Sequence, residues 1–179
     1  MSVREHVAQL ARELPLKTAA AKYDDGEVFV PQGDGFGLVF GRLFIPGPLL
    51  SMNDIISLKA TKFGRGMDAY AKTKRHWGGL ISMLARHARL GAIGPSYFTY
   101  LFRERDRRRD PSNFVAGGVK IIEDGLQEAG LLDNDGWNHV LGFTAHWVVD
   151  AEQPGCTVFV HAERLLTKDE AIALDRRQT

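Results

Sequence analysis

The chain has 179 residues, 44% of them hydrophobic and 25% charged, which suits one domain able to bury a core without disulfide or metal staples. Its net charge of +1 gives no global sign of a polyanionic partner, so any such partner must be met by local clusters of charge. A single cysteine excludes an internal disulfide and a cysteine-built zinc site, and it suits a reducing cytoplasm.

No apolar run approaches the roughly 20 residues that span a bilayer. The opening MSVREHVAQL carries charges where a secretion signal is apolar. The expectation is a cytoplasmic protein without a membrane partner. Val3, Val7, Leu10 and Leu14 lie at helical spacing and Pro15 ends the run, predicting a short amphipathic helix over residues 2 to 14. Strand-like pieces follow at 27–31 and 38–45. Pro46 to Asn53 (PGPLLSMN) reads as a loop because it holds two prolines and a glycine. Residues 68–90 read as a helix, with Tyr70, Trp77, Ile81, Leu84 and Ala88 on one arc and Lys72, Arg75, Arg86 and Arg89 opposite.

Residues 97–103 (YFTYLFR) are aromatic and predict a strand that runs into Arg103, Arg105, Arg107, Arg108 and Arg109. The next helix, from Asn113 to a stop at Gly130, carries Val115, Val119, Ile122, Leu126 and Ala129 as its buried stripe. Asn113, Gly117, Lys120 and Asp124 fall within about 60° of one another on the opposite face. Strands at 143–149 and 156–161 flank an AEQPG turn, and Thr167 to Glu170 reads as a capping box opening a last helix. This order predicts an α+β fold, a small mixed β-sheet packed with two main helices and preceded by an N-terminal extension.

The informative stretch is Arg107 to Val140, RRRDPSNFVAGGVKIIEDGLQEAGLLDNDGWNHV. Arginines beside carboxylates suit phosphodiester chemistry: the cations hold the backbone, and the acids hold a hard divalent ion that activates water. Each residue also has a plainer reading. Asp110, ahead of Pro111, Ser112 and Asn113, is what a turn and helix N-cap require. Asp133 and Asp135 sit in a DNDG turn. Lys120 is an ordinary helix lysine unless carboxylates and a metal stand beside it. Gly117 would let a ligand approach, or else another helix. His139 and His146 lack a second ligand at zinc spacing, so the oxygen donors point to Mg²⁺, with Mn²⁺ as a substitute.

Taken together, these motifs resemble the RusA-type Holliday junction resolvases, in particular versions encoded by phages and prophages. The arginine-rich strand end leads into Asp110-Pro111-Ser112-Asn113, then Lys120, Asp124, Ala129-Gly130 and Asp135, while Pro46 to Asn53 resembles the family's opening loop. The likeness covers residues 42 to 161, so the chain divides into an extension (1–41), a RusA-like domain (42–164) and a short C-terminal helix (165–179). The resemblance implies a homodimeric Mg²⁺-dependent endonuclease of a bacterial or phage-infected cell, nicking four-way DNA junctions in pairs. It implies Asp110 and Asp135 as metal ligands, joined by Asp133, and Lys120 as the cation at the phosphate. Arg105, Arg107, Arg108, Arg109, Asn113, Lys72 and Arg75 would contact DNA. Ser112 stands where the family has a second acid. Either Asp133 or Asp124 takes its place, or the chain binds branched DNA without cutting it.

Overall fold

The computed structural model describes residues 39–60, 65–88, 90–161 and 164–176. The helix expected at 2–14 and the strand at 27–31 lie outside the described residues. Strand β1 (Val39–Pro46) is followed by helices α1 (Met52–Ala60) and α2 (Arg65–His87), then by strand β2 (Ser96–Glu104) and helix α3 (Pro111–Glu128). Strands β3 (Val140–Val149) and β4 (Gly155–His161) and helix α4 (Lys168–Arg176) complete the order. The fold is α+β, as the pattern predicts. Helix α1 takes in Met52 and Asn53, the end of the stretch read as a loop. The rest of it went unassigned in the sequence because its apolar periodicity is weak and Ile55 is its only buried residue. Ala88 lies in an exposed turn after α2, and Ala85 is the buried residue at that end.

The sheet order is β1-β4-β2-β3. Strand β4 runs antiparallel to both β1 and β2, and β3 pairs with β2 in parallel. The two strands around the AEQPG turn are therefore not partners: β4 crosses past β2 to fill the centre of the sheet. Burial explains the difference in their sequences. β2 and β4 are covered on both faces and read as nearly continuous apolar runs, while edge strand β3 alternates.

Helices α1, α2 and α3 cover one face. Trp77 and Ile81 of α2 and Phe114, Ile121, Ile122 and Leu126 of α3 pack there on Ile45, Phe98, Tyr100, Phe102 and Val158. On the other face, Leu101 and Phe159 meet Leu166 and Ala171. Asp175 of α4 ties this side down: it pairs with Arg103 and with Arg42 (2.8 Å), and it accepts a hydrogen bond from Thr157 Oγ1 at 2.9 Å. The capping box forms as expected, with Thr167 N–H donating to Glu170 Oε2 at 2.8 Å. Gly130, at φ 69°, ends α3 in the left-handed region, where a residue without a Cβ is least strained.

Helix α3 is less one-sided than its sequence suggests. Residues 121 to 126 are all buried, because the sheet lies on one side and α2 on another. Gly117 belongs to the helix packing as well: a Cβ there would land on the backbone between Leu50 and Met52. The close approach that this glycine permits is made by the protein's own chain. Replacing it by alanine is expected to cost about 1–3 kcal/mol through overpacking. The loss would be read as a lower urea midpoint with an unchanged slope.

Candidate functional site

Helix α3 begins at Asp110, whose carboxylate caps it. Asp110 Oδ1 accepts the backbone N–H of Ser112 (3.1 Å) and its hydroxyl (2.9 Å). This satisfies one of the free N–H groups of the first turn and places negative charge at the positive end of the helix dipole. Pro111 at the first helical position has no N–H to lose. Asn113 is half-buried one position on.

The second half of α3 holds a different constellation. Lys120 Nζ lies 3.0 Å from Asp124 Oδ1, one turn on, and 3.0 Å from Asp135 Oδ2 in the turn after the helix. Lys74 of α2 approaches Asp124 from the other side, 3.2 Å from Oδ2, without the geometry of a hydrogen bond. Glu123 is buried beside them and accepts a hydrogen bond from the Tyr100 hydroxyl at 3.1 Å. Two lysines thus face two carboxylates, with a third carboxylate held behind by a tyrosine.

The electrostatics follow from burial and pairing. Burial alone would lower the pKa of Lys120, but its hydrogen bonds to Asp135 and Asp124 outweigh that and raise it from 10.5 to about 12. The same bond from Lys120 holds Asp135 below the ordinary aspartate range. Burial pushes Glu123 up, against the bond from Tyr100, and the charges of Asp135 and Asp124 push the same way.

Asp110 does not join this cluster. Asp124 lies fourteen residues beyond it on α3, about 21 Å along the axis. With Asp135 tied to Asp124 through one ammonium, the carboxyls of Asp110 and Asp135 stay at least about 7 Å apart, more than two ligands of one ion allow. Ligands sharing one ion must each reach it within about 2.0–2.6 Å. Within one chain, the expected pairing of Asp110 with Asp135 on a common ion is therefore corrected, because Asp110 is the helix cap. Of the two candidates to replace the acid at Ser112, Asp124 stands beside Asp135, while Asp133 is exposed in the turn. Among the described residues, no three His, Cys, Asp or Glu side chains are grouped so as to hold a metal.

The donor chemistry of Asp124 and Asp135 nevertheless fits a hard divalent cation. Both are carboxylates, the oxygen donors that such an ion prefers, and each is paired here with an ammonium: Asp124 with Lys120 and Lys74, Asp135 with Lys120.

The arginines divide by partner. Arg109 Nη1 donates to both oxygens of buried Glu104 (2.8 and 2.9 Å) and Nη2 to Leu49 O (2.7 Å), with the guanidinium over the Phe114 ring. Its donors tie the loop after β2 to the loop after β1, so this guanidinium is engaged within the protein. Arg103 is buried in the Asp175 network. Arg108 pairs with Asp106 at the surface (2.6 Å), and Arg105 and Arg107 are exposed in the same loop. Lys72 and Arg75 are exposed on α2.

Sequence reading overlooked Lys74, Glu123 and Tyr100, yet a signal was present. Lys74 falls between Tyr70, Trp77 and Ile81, and Glu123 between Val119 and Leu126, both on apolar stripes. A charged residue at core spacing must find a partner, since burying it alone is costly.

Two outcomes are expected. Arg109→Ala strands the buried Glu104 carboxylate and should lower stability by about 2 kcal/mol or more in chemical denaturation, while Arg105→Ala and Arg107→Ala leave it nearly unchanged. Lys120→Met should move the Asp135 carboxyl titration upward in NMR. The Lys120–Asp135 pair is half-exposed, so it contributes only a few tenths to about 1 kcal/mol. The Asp135 share of that stability is present above pH 3.8 and lost as pH falls through its lowered folded value. The Lys120 share is complete below pH 10.5 and lost as pH rises through about 12.

The chain matches no protein-family model and no curated protein.

Proposed function

We propose that this chain is a Mg²⁺-dependent endonuclease of the RusA type that resolves four-way DNA junctions by paired nicks. The observation that carries the reading is the meeting of Lys120, Asp124 and Asp135. These three positions, singled out by the motif pattern, converge although Asp135 lies beyond the helix on a separate turn. Mg²⁺ held by Asp124 and Asp135, with Mn²⁺ as a substitute, would supply an activated water and neutralise charge on the phosphate. Lys120 presents a permanent cation at the same point, suited to the charge that develops on the scissile phosphate. Lys74 anchors Asp124 from α2, and Glu123, tied to Tyr100, keeps the acidic end of α3 in place. Arg105, Arg107 and Arg108 on the exposed loop, and Lys72 and Arg75 on α2, offer phosphate contacts that position DNA without reading sequence.

Two coordinated nicks call for two sites related by a twofold axis. The homodimer finds support in edge strand β3, where Leu141, Phe143, Trp147 and Val149 are exposed large apolar residues at alternating positions. No helix among the described residues is long and apolar enough to cross a membrane. A bacterial or phage-infected cytoplasm is the compartment proposed for this activity.

A second reading, branched-DNA binding without cleavage, is favoured by one feature. Asp110 and Ser112 are engaged with each other at the helix cap, so that end of the motif brings no second acid to the cluster.

Incubation with a labelled four-way junction, with and without Mg²⁺, decides between the two. Paired nicks that need Mg²⁺ and drop at least about 100-fold in Asp135→Asn, with junction binding retained, are the expected result. A junction bound above duplex but left intact in both Mg²⁺ and Mn²⁺ selects the second reading. Binding no stronger than to duplex at moderate salt removes both.

A further inference from the structure

Strand β3 stands at one end of the sheet order, and among the described residues it pairs on one side only, with β2. Its 10 residues, VLGFTAHWVV, include no Asp, Glu, Lys, Arg or Pro. Charges, prolines and bulges are the devices that keep a sheet edge from pairing with another chain. Strand β1, at the other end of the order, carries Arg42, Pro46 and a register shift near Gly41. The one shift in β3 falls at its start, between Val140 and Gly142, and the strand is regular from there on.

Backbone and side chains of β3 offer the same residues. Asp150 N–H donates to Glu104 O at the end of β2, at 2.8 Å. Alternation along the strand then turns the N–H and C=O groups of Phe143, Ala145, Trp147 and Val149 to the open side. With Leu141, these residues also share one face of the sheet. Ala145 packs against the core beneath the helices, and the Phe143 ring meets Tyr100 edge-on at 6.1 Å, so this is the helix-covered face. Leu141, Phe143, Trp147 and Val149 are 45%, 53%, 46% and 54% exposed. Half of four large side chains amounts to roughly 400 Å² on each copy. A standard interface buries about 800 Å² per partner and is little more than half apolar, so this row supplies the apolar share of a stable one.

Pairing of one strand with its own copy across a twofold axis is antiparallel and sets this row against itself. Centred on Ala145, Phe143 falls opposite Trp147 of the second copy, and Leu141 opposite its Val149. Aromatic meets aromatic and aliphatic meets aliphatic, with the smallest residue of the row on the axis. Centring on Phe143 or on Trp147 instead leaves two of the four large residues beyond the end of the facing strand.

We propose that β3 pairs antiparallel with β3 of a second copy, centred on Ala145, so that the four-stranded sheet continues through both. The strand alone carries this pairing; its bearing on activity rests on the nuclease reading above. Tyr100 is the register partner of Ala145, so the Tyr100 side chains of the two copies share a face, about three strand spacings or roughly 14 Å apart. Each holds Glu123 next to Asp124 and its lysines. Both clusters thus lie over one face of the joined sheet. Trp147 of one copy rests on Phe143 of the other, and through that ring on Tyr100.

The test is sedimentation of the full chain, with thermal melts confirming that each variant is folded. The unmodified chain should be a dimer, and Phe143→Lys and Trp147→Glu should each weaken it at least about tenfold. Mixing the two variants should restore a dimer, because the register sets the introduced ammonium opposite the introduced carboxylate and leaves the other aromatic pair intact. A monomeric unmodified chain overturns the pairing, as does a dimer that both variants leave unchanged. Two weakened variants that fail to recover on mixing overturn the register and with it the proposal. Junction cleavage measured in parallel separates this from the nuclease reading. A chain that cuts junctions as a monomer sinks the pairing alone. A dimer that behaves as described but neither cuts nor binds junctions sustains the pairing and sinks the nuclease.

Discussion

Two consecutive carboxylates, Glu123 and Asp124, are buried in the second half of α3, and that constraint organises the helical side of the molecule. A carboxylate removed from water without a partner is costly, so each must be met by a donor or a counter-charge. Each partner comes from a different place. Tyr100 reaches Glu123 from the central strand β2, Lys74 reaches Asp124 from α2, and Lys120 reaches it from one turn earlier on α3. Sheet, crossing helix and central helix are thereby held in one relative position. Asp135, beyond the helix end, is drawn to the same point by the remaining capacity of Lys120.

Apolar packing and the polar cluster depend on each other. Gly117 and Gly125 let α3 approach the backbone of residues 50–52 and the side chain of Ile81, so that the helix sits deep between its neighbours. That depth gives Glu123 its raised pKa and removes Asp124 from solvent. A shallower helix would leave both acids in water, where pairing with lysines is worth little. On the far side of the sheet, Asp175 does comparable work with Arg42, Arg103 and Thr157, tying α4 to three strands through one buried carboxylate.

Much of the architecture was readable in advance because it rests on local periodicity. The 4, 3, 4, 3 spacing of apolar residues announced α3, the aromatic run announced β2, and Thr167 and Glu170 announced the last helix. Helix α1 escaped notice for the converse reason, having little apolar periodicity to detect. Half of the site was legible too. Lys120, Asp124 and Asp135 were candidates, and they meet. Asp110 was assigned to the wrong group because its residue type serves a helix cap and a metal site equally well, and sequence carries no measure of the 21 Å or so between the two ends of α3. The internal partners of Arg109, Glu104 and Leu49, were equally hidden, because both are brought to it by the fold.

By itself, the sequence determined where helices and strands would form, which residues would cap them, and that acids and bases would concentrate between residues 103 and 135. These are consequences of side-chain pattern along a short stretch of chain, acting over one or two turns. Tertiary structure alone decided that β4 would lie between β1 and β2, that Lys74 and Tyr100 would join the acids of α3, and that Asp110 would stand apart from them. Those outcomes depend on which distant segments pack together, and packing is set by shape and burial summed over the whole chain.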